Sequence, residues 1–242
     1  MPPGAVAPSS VSSERASPAS FTRLDAAMLS SLAAVLVCDT AAAVTHAGWV
    51  SSAVIALASS GLLLAYAARR AWRPLLGRLL VFGLIAGLLE VGTDAAGEHV
   101  VHSLSYPSQP MLWDSPLTMP LSWMIVLTQI GYLAWRLRSW RPAGLRLPLW
   151  LASGLLFVWG ALNIPLYEEL AYYANWWRYA AAPHLGHTPL YVMLFEGLVA
   201  AALPLLLANL AQRSWRAVAL RALLLGVWTP WAALIAWLII GR

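Results

Sequence analysis

Glu90, Asp94, Glu98 and His102 follow one another at intervals of four. On a helix each such step overshoots a full turn by about 40°, so the four form a slowly winding stripe about 18 Å long. An ionisable side chain inside an apolar run is costly and marks a functional site by default. Carboxyls held in apolar surroundings with few cations nearby favour keeping a proton, which is what a general acid requires. Glu90 and Glu98 are the leading acids, and Asp94 between them tunes their protonation by like-charge coupling. Glu196 stands alone in a later apolar run, about 10 Å from its end. Glu196 and Glu169 are the candidates for a base. Packing offers a plainer reading of the stripe, because buried polar groups also glue helices together. Gly83, Gly87 and Gly97 interleave with the acids and let a neighbouring helix or a flat ligand come close.

A dense aromatic run follows later: Tyr167, Tyr172, Tyr173, Trp176, Trp177 and Tyr179. Such a run forms an interfacial belt in membrane proteins. The same rings, turned inward, stabilise a cation through their π faces. Trp123, Trp176, Trp177 and Tyr179 are candidates for a cation-sheltering wall, and Tyr106 and His102 are further candidates for binding a substrate. His99 and His102, like His184 and His187, are spaced i, i+3. Two such pairs with nearby carboxylates could hold a metal. There is no HExxH, and hydrogen bonding at the outer surface accounts for the pairs as well, so no metal or other cofactor is expected.

These residues must be positioned by membrane-spanning helices. The chain is 60% apolar and 10% charged, with a mean hydropathy of +0.69, which excludes an ordinary soluble domain. Its net charge of +5 comes from Arg spread over short connections, with no Lys; this orients a membrane protein rather than binding nucleic acid. One cysteine, Cys38, rules out an intrachain disulfide. Residues 1–24 are rich in Pro, Ser and Ala and are expected to be a disordered tail. Residues 25–242 hold seven apolar stretches near the length needed to cross a bilayer: about 26–46, 48–68, 75–101, 116–135, 148–170, 189–211 and 218–240. The expected fold is all-α, one polytopic bundle of seven transmembrane helices. The first stretch is long for a signal peptide and Asp39 interrupts it. No internal repeat is evident.

All but two of the fifteen Arg fall in one set of connections, and all five His fall in the other. Arg15, Arg23, Arg69, Arg70, Arg73, Arg78, Arg136, Arg138, Arg141, Arg146, Arg213, Arg216 and Arg221 mark the cytoplasmic side; Arg178 and Arg242 are the exceptions. The N-terminus is then cytoplasmic. The expected setting is a bacterial inner membrane, with the acids in the non-cytoplasmic half.

Glu90-Val91-Gly92 and, later, Pro116-Leu117-Thr118-Met119-Pro120-Leu121-Ser122-Trp123 resemble the carotenoid-biosynthesis membrane family that contains the bacterioruberin-pathway hydratase. That family's later acid, Trp-rich stretch, Gly and Pro are echoed by Glu168 or Glu169, Trp176-Trp177, Gly186 and Pro189. Trp177, Pro189 and Glu196 are similar to a segment of the heterodimeric lycopene cyclases. Glu98 before Tyr106-Pro107-Ser108-Gln109 resembles the integral membrane terpene cyclases of meroterpenoid pathways. Those carry a second acid in the last span, where this chain has none. His184-Leu185-Gly186-His187 with Pro189-Leu190-Tyr191 resembles the emopamil-binding sterol isomerase group.

These resemblances imply one chemistry: a membrane-buried acid protonates an isoprenoid alkene or epoxide, aromatic rings shelter the cation, and a base or water ends the reaction. The expected partners are a lipophilic isoprenoid substrate and membrane lipid, with no nucleic acid. Two other readings stand beside it. One is a small transporter or lipid-binding or assembly protein using the acids for proton-coupled gating, which helices broken at Pro165 or Pro204 would favour. The other is a metal hydrolase using the outer His.

Overall fold

The computed structural model describes residues 21–69, 74–139, 147–180 and 182–241. Arg15, Arg70, Arg73, Arg141, Arg146, Arg242 and all but the last four residues of the expected tail lie outside them. The described residues form seven α-helices: α1 (Arg23–Thr45), α2 (Trp49–Arg69), α3 (Pro74–His99), α4 (Met119–Ser139), α5 (Leu149–Tyr173), α6 (Leu190–Leu206) and α7 (Trp215–Ile240). The protein is all-α apart from six two-residue strands: β1 (Leu104–Ser105), β2 (Met111–Leu112) and β3 (Ser115–Pro116) between α3 and α4, and β4 (Arg178–Tyr179), β5 (His184–Leu185) and β6 (Thr188–Pro189) between α5 and α6. Five helices, α1, α2, α3, α5 and α7, are long and apolar enough to cross a membrane.

Local chemistry sets the helix ends. Thr22 and Asp25 form a reciprocal capping box at the start of α1: the Asp25 amide donates to Thr22 Oγ1 (3.2 Å) and the Thr22 amide to Asp25 Oδ2 (2.6 Å). His46 ends α1 in the left-handed region. Pro74 opens α3, where its missing N–H costs nothing. The sixth helix stops at Leu206, short of the expected 211. Asn209 adopts a left-handed conformation just beyond it, and the chain turns through a 3-10 segment, Leu210–Gln212. Arg221 of α7 fastens this end, its Nη1 donating to the carbonyls of Leu206 (2.9 Å) and Ala208 (2.7 Å). A cation at a helix C-terminus also suits the dipole. Arg221→Met removes both charged hydrogen bonds and is expected to cost about 1.5–3 kcal/mol, read as a lowered unfolding midpoint in detergent with the helical signal retained.

Neighbouring helices form a closed circuit, α1–α5–α6–α7–α3–α4–α2 and back to α1, with α4 also meeting α5, α6 and α1 across it. Glycine permits several of the close approaches. A Cβ on Gly83 or Gly87 of α3 would meet the backbone of α4 at 2.8 Å (Met124 O) and 2.6 Å (Pro120 O). One on Gly160 of α5 would meet Glu196 O of α6 at 2.8 Å. The core between these helices includes Phe82, Leu79, Met124, Leu156 and Leu203, all essentially inaccessible. The outward faces are apolar too: Val37, Leu62, Leu162 and Ile239 are all more than 65% exposed.

Long-range bonds place the connections at two ends. His46 Nδ1 lies 2.7 Å from the carbonyl of Tyr173, and Gly48 N donates to Ala174 O at 2.9 Å, joining the α1–α2 turn to the end of α5. β1 pairs antiparallel with β4, so the α3–α4 and α5–α6 connections share that end. At the other end Arg78 Nε donates to Arg213 O (2.8 Å) and its guanidinium stacks 4.9 Å over Trp215. One end thus carries the His-bearing connections, with Arg178, and the other carries Arg78 and Arg213.

Candidate functional site

A cavity of about 1030 Å³ lies among α1, α3, α4, α5, α6 and α7. Four carboxyls reach its wall near the His-bearing end: Glu90 and Asp94 from α3, Glu168 from α5 and Glu196 from α6. Asp94 Oδ2 accepts from Tyr106 OH (2.7 Å) and from Ser115 Oγ (2.6 Å). Glu90, one helical turn before Asp94, is buried, and its Oε2 has no hydrogen-bond partner. Glu168 Oε2 accepts from Trp177 Nε1 (2.6 Å) and its Oε1 from Tyr179 OH (3.4 Å). Glu196 lines the same wall. Burial and then the Asp94 charge push the Tyr106 phenol well above its ordinary range. Burial and then Glu168 do the same to Tyr179. Both phenols therefore stay protonated as donors.

Most of the remaining wall is apolar and aromatic. Trp123 of α4 and Phe195 of α6 meet across it, ring centres 6.5 Å apart and tilted by 55°. Tyr191 reaches the wall as well, its hydroxyl 2.7 Å from Ser103 Oγ.

Seven of the residues singled out from sequence line this cavity: Glu90, Asp94, Glu196, Trp123, Trp177, Tyr179 and Tyr106. Glu98, Glu169, Trp176 and His102 do not. The stripe winds away, so Glu98 stands about 80° from Glu90 around α3. The helix also ends at His99, so His102 is not on it. It takes a left-handed conformation (φ 54°) and its Nδ1 sits 3.0 Å from Glu98 O. Glu169, one residue and about 100° from Glu168, pairs with His187 at 2.7 Å and accepts from the His187 amide at 2.6 Å. Trp176 Nε1 donates to Gly48 O (3.1 Å) and Ser51 Oγ (2.9 Å), stapling α5 to the α1–α2 turn. His99 pairs with Asp114 at 3.0 Å. Among the described residues no three of His, Cys, Asp and Glu converge on a metal position.

The two connections at this end are copies of each other. Pro110-Met-Leu-Trp-Asp-Ser-Pro-Leu117 and Pro183-His-Leu-Gly-His-Thr-Pro-Leu190 align at a constant offset of 73, which also carries Tyr106 onto Tyr179. Each copy closes with the same bond, Leu117 N to Pro110 O and Leu190 N to Pro183 O, both 2.9 Å. Left-handed residues recur at the same offset: His102 (φ 54°) with Asn175 (57°), and Trp113 (56°) with Gly186 (61°). In the β1–β4 pairing Ser105 faces Arg178, its own counterpart, as a two-fold axis through that pair requires. The α3–α4 and α5–α6 connections are thus related by a local pseudo-two-fold axis, a short repeat where none was expected. Each half brings an acid and a tyrosine to the cavity, Asp94 with Tyr106 and Glu168 with Tyr179. Glu168 was legible only as one of two neighbouring acids; its spacing to Tyr179, close to that of Asp94 to Tyr106, is the signal that selects it.

Gly186 needs its positive φ, and a Cβ there would collide with the Glu169 carboxylate. Gly186→Ala is expected to cost about 1–2 kcal/mol for the backbone alone, with a further loss from the displaced carboxylate. In a Glu169→Ala background only the backbone cost should persist, a difference that a double-mutant cycle of unfolding midpoints measures.

A helical bundle of apolar helices around a carboxyl-lined cavity is the class that this fold and site define. Within it, the chain belongs to the family described as a domain of unknown function (DUF6989), whose model matches residues 91–240 and so takes in both hairpins and three of the four carboxyls. No curated protein and no solved structure matches the chain.

Proposed function

We propose that the protein is an integral membrane enzyme that protonates an isoprenoid alkene or epoxide and so acts as a cyclase, hydratase or isomerase. The observation that carries this is the pair of buried carboxyls Glu90 and Asp94, one helical turn apart on the wall of an aromatic cavity, with Glu90 Oε2 free of any hydrogen-bond partner, a place to keep a proton where a carbocation could form. Asp94 is fixed by Tyr106 and Ser115, so Glu90 is the member of the pair that delivers the proton. The proton adds to one alkene carbon, leaving a carboxylate on the enzyme and a tertiary cation on the substrate. Trp123, Trp177, Tyr179 and Phe195 face that cation with their π systems. Glu168 or Glu196 then takes a proton from the carbon next to the cation, restoring an alkene of unchanged mass. Alternatively it takes the proton of a water that adds to the cation. A dry wall keeps bulk water from quenching the cation early. The reading needs no cofactor.

In this reading all seven helices span the bilayer. The exposed apolar faces of α1, α2, α5 and α7 exceed what a water-facing surface carries. Alternating directions place the Arg-bearing end in the cytoplasm by the positive-inside rule. The setting is a bacterial inner membrane, and the acids lie in the non-cytoplasmic half. A seventeen-residue α6 is about 26 Å long, close to the hydrocarbon thickness. Helices α5 and α6 continue unbroken through Pro165 and Pro204, and the acids gather at one end, which favours an enzyme over a transporter.

The test is expression in a carotenoid- or prenyl-producing host with mass analysis of its lipids. A product isomeric with a host isoprenoid, or heavier by one water, is expected with the wild type and absent with Glu90→Gln. Identical lipid profiles with and without the protein, in hosts supplying both substrate types, would contradict the reading.

A further inference from the structure

The cavity does not end at the carboxyls. It continues along α4 past Val126 and Leu133 to Arg136, and along α1 past Leu32 and Met28 to Asp25. From Trp123 to Arg136 is thirteen helical rises, about 20 Å. The far end is polar and built. Asp25 Oδ1 accepts from Tyr132 OH (2.7 Å) and pairs with Arg136 Nε (3.0 Å), while its other oxygen is held by the Thr22 amide. Asp25 and Tyr132 are both over 90% buried. This cluster lies a bilayer half away from the acid site and takes no part in the proton chemistry.

We propose that this cluster is a headgroup site, and that the cavity takes an amphiphile end-on. An uncharged oxygen head, an alcohol or phenol, would sit at Asp25–Tyr132–Arg136. An apolar tail would run the roughly 20 Å to Glu90. Charge decides the class of head. Arg136 is the sole cation among the described residues of the wall, and Asp25 already neutralises it. A diphosphate or carboxylate there would face the Asp25 charge with no second cation to offset it. An alcohol or phenol can donate to a carboxylate or phenol oxygen without bringing a charge, which suits a site whose own charges already cancel. The length of the apolar stretch selects a long unbranched-backbone isoprenoid over a compact one. This inference rests on the enzyme reading only for what happens at the tail; the head site is a matter of binding.

The test uses the full chain in detergent and three radiolabelled probes of equal carbon skeleton: geranylgeraniol, geranylgeranyl diphosphate and the hydrocarbon phytane. The alcohol should bind about tenfold tighter than phytane, the worth of one well-made polar contact, and tighter than the diphosphate. Tyr132→Phe, which keeps the ring, should lower alcohol affinity several-fold and leave phytane unchanged. Arg136→Gln, checked for an intact unfolding transition, should do the same. Equal binding of alcohol and phytane, preference for the diphosphate, or an alcohol affinity untouched by Tyr132→Phe would overturn the proposal. Binding of the alcohol in this pattern without conversion of any isoprenoid would leave the head site standing and sink the enzyme reading; conversion with no head preference would do the reverse.

Discussion

Glu90→Gln is expected to lower turnover by about 10²–10⁴-fold, the range for loss of a positioned general acid, while leaving substrate affinity and the unfolding midpoint close to wild type. The amide keeps the shape and polarity of the carboxyl but has no acidic proton to give. Asp94→Asn should act nearly as strongly, since Asp94 lies one helical turn from Glu90 and the donors Tyr106 and Ser115 converge on it. Combining the two should cost little more than either alone, because residues that act as one unit are not additive. Glu98→Gln, one helical turn beyond Asp94 and off the cavity wall, should lose less than about tenfold, well short of a catalytic acid. Rates of product formation by the purified variants, with thermal unfolding as the control for folding, check all four. Equal losses at Glu98 and Glu90 would place the proton elsewhere on α3.

The largest structural effect is expected at the α3–α4 contact. Gly87→Val puts a branched side chain where even a Cβ lies 2.6 Å from Pro120 O and 2.9 Å from Trp123 Cβ. Backbone cannot rotate aside as a side chain can, so the helices must separate. Overpacking of this kind costs about 1–3 kcal/mol or more, and Gly83→Val should behave alike. Gly92, with nothing within 4 Å of its Cβ, is the control: Gly92→Ala should be neutral or stabilising by about 0.5–1 kcal/mol. Unfolding midpoints in detergent measure the contrast. Because Trp123 would move with α4, Gly87→Val should also lower turnover in whatever fraction folds.

The seven helices and the acid stripe were legible because apolar length and four-residue spacing are local properties of the chain. What was lost depends on rotation and distance. Glu168 and Glu169 differ by about 100° around α5, and no periodicity in that segment says which faces inward; the choice is made by Trp177 and Tyr179 on one side and His187 on the other. Glu98 and His102 fell away because the stripe winds and the helix ends. The repeat between the two connections was hidden because they share backbone conformation more than residue type: Trp113 and Gly186 share a left-handed turn, as do His102 and Asn175, with no chemistry in common. The end of α6 was missed because Arg221, which caps it, lies in the next helix. The far polar cluster joins Asp25 to Tyr132 and Arg136 across more than a hundred residues, and spacing cannot report such a meeting.

The central claim is that a carboxyl proton of this protein is transferred to substrate carbon. Incubating the purified protein in D2O with lipid extract from an isoprenoid-producing host tests it most directly, with the products resolved by mass. One deuterium on carbon in each product molecule, absent with Glu90→Gln, is the result expected. Conversion that leaves every carbon free of deuterium, or deuterium uptake undiminished in Glu90→Gln, would contradict it.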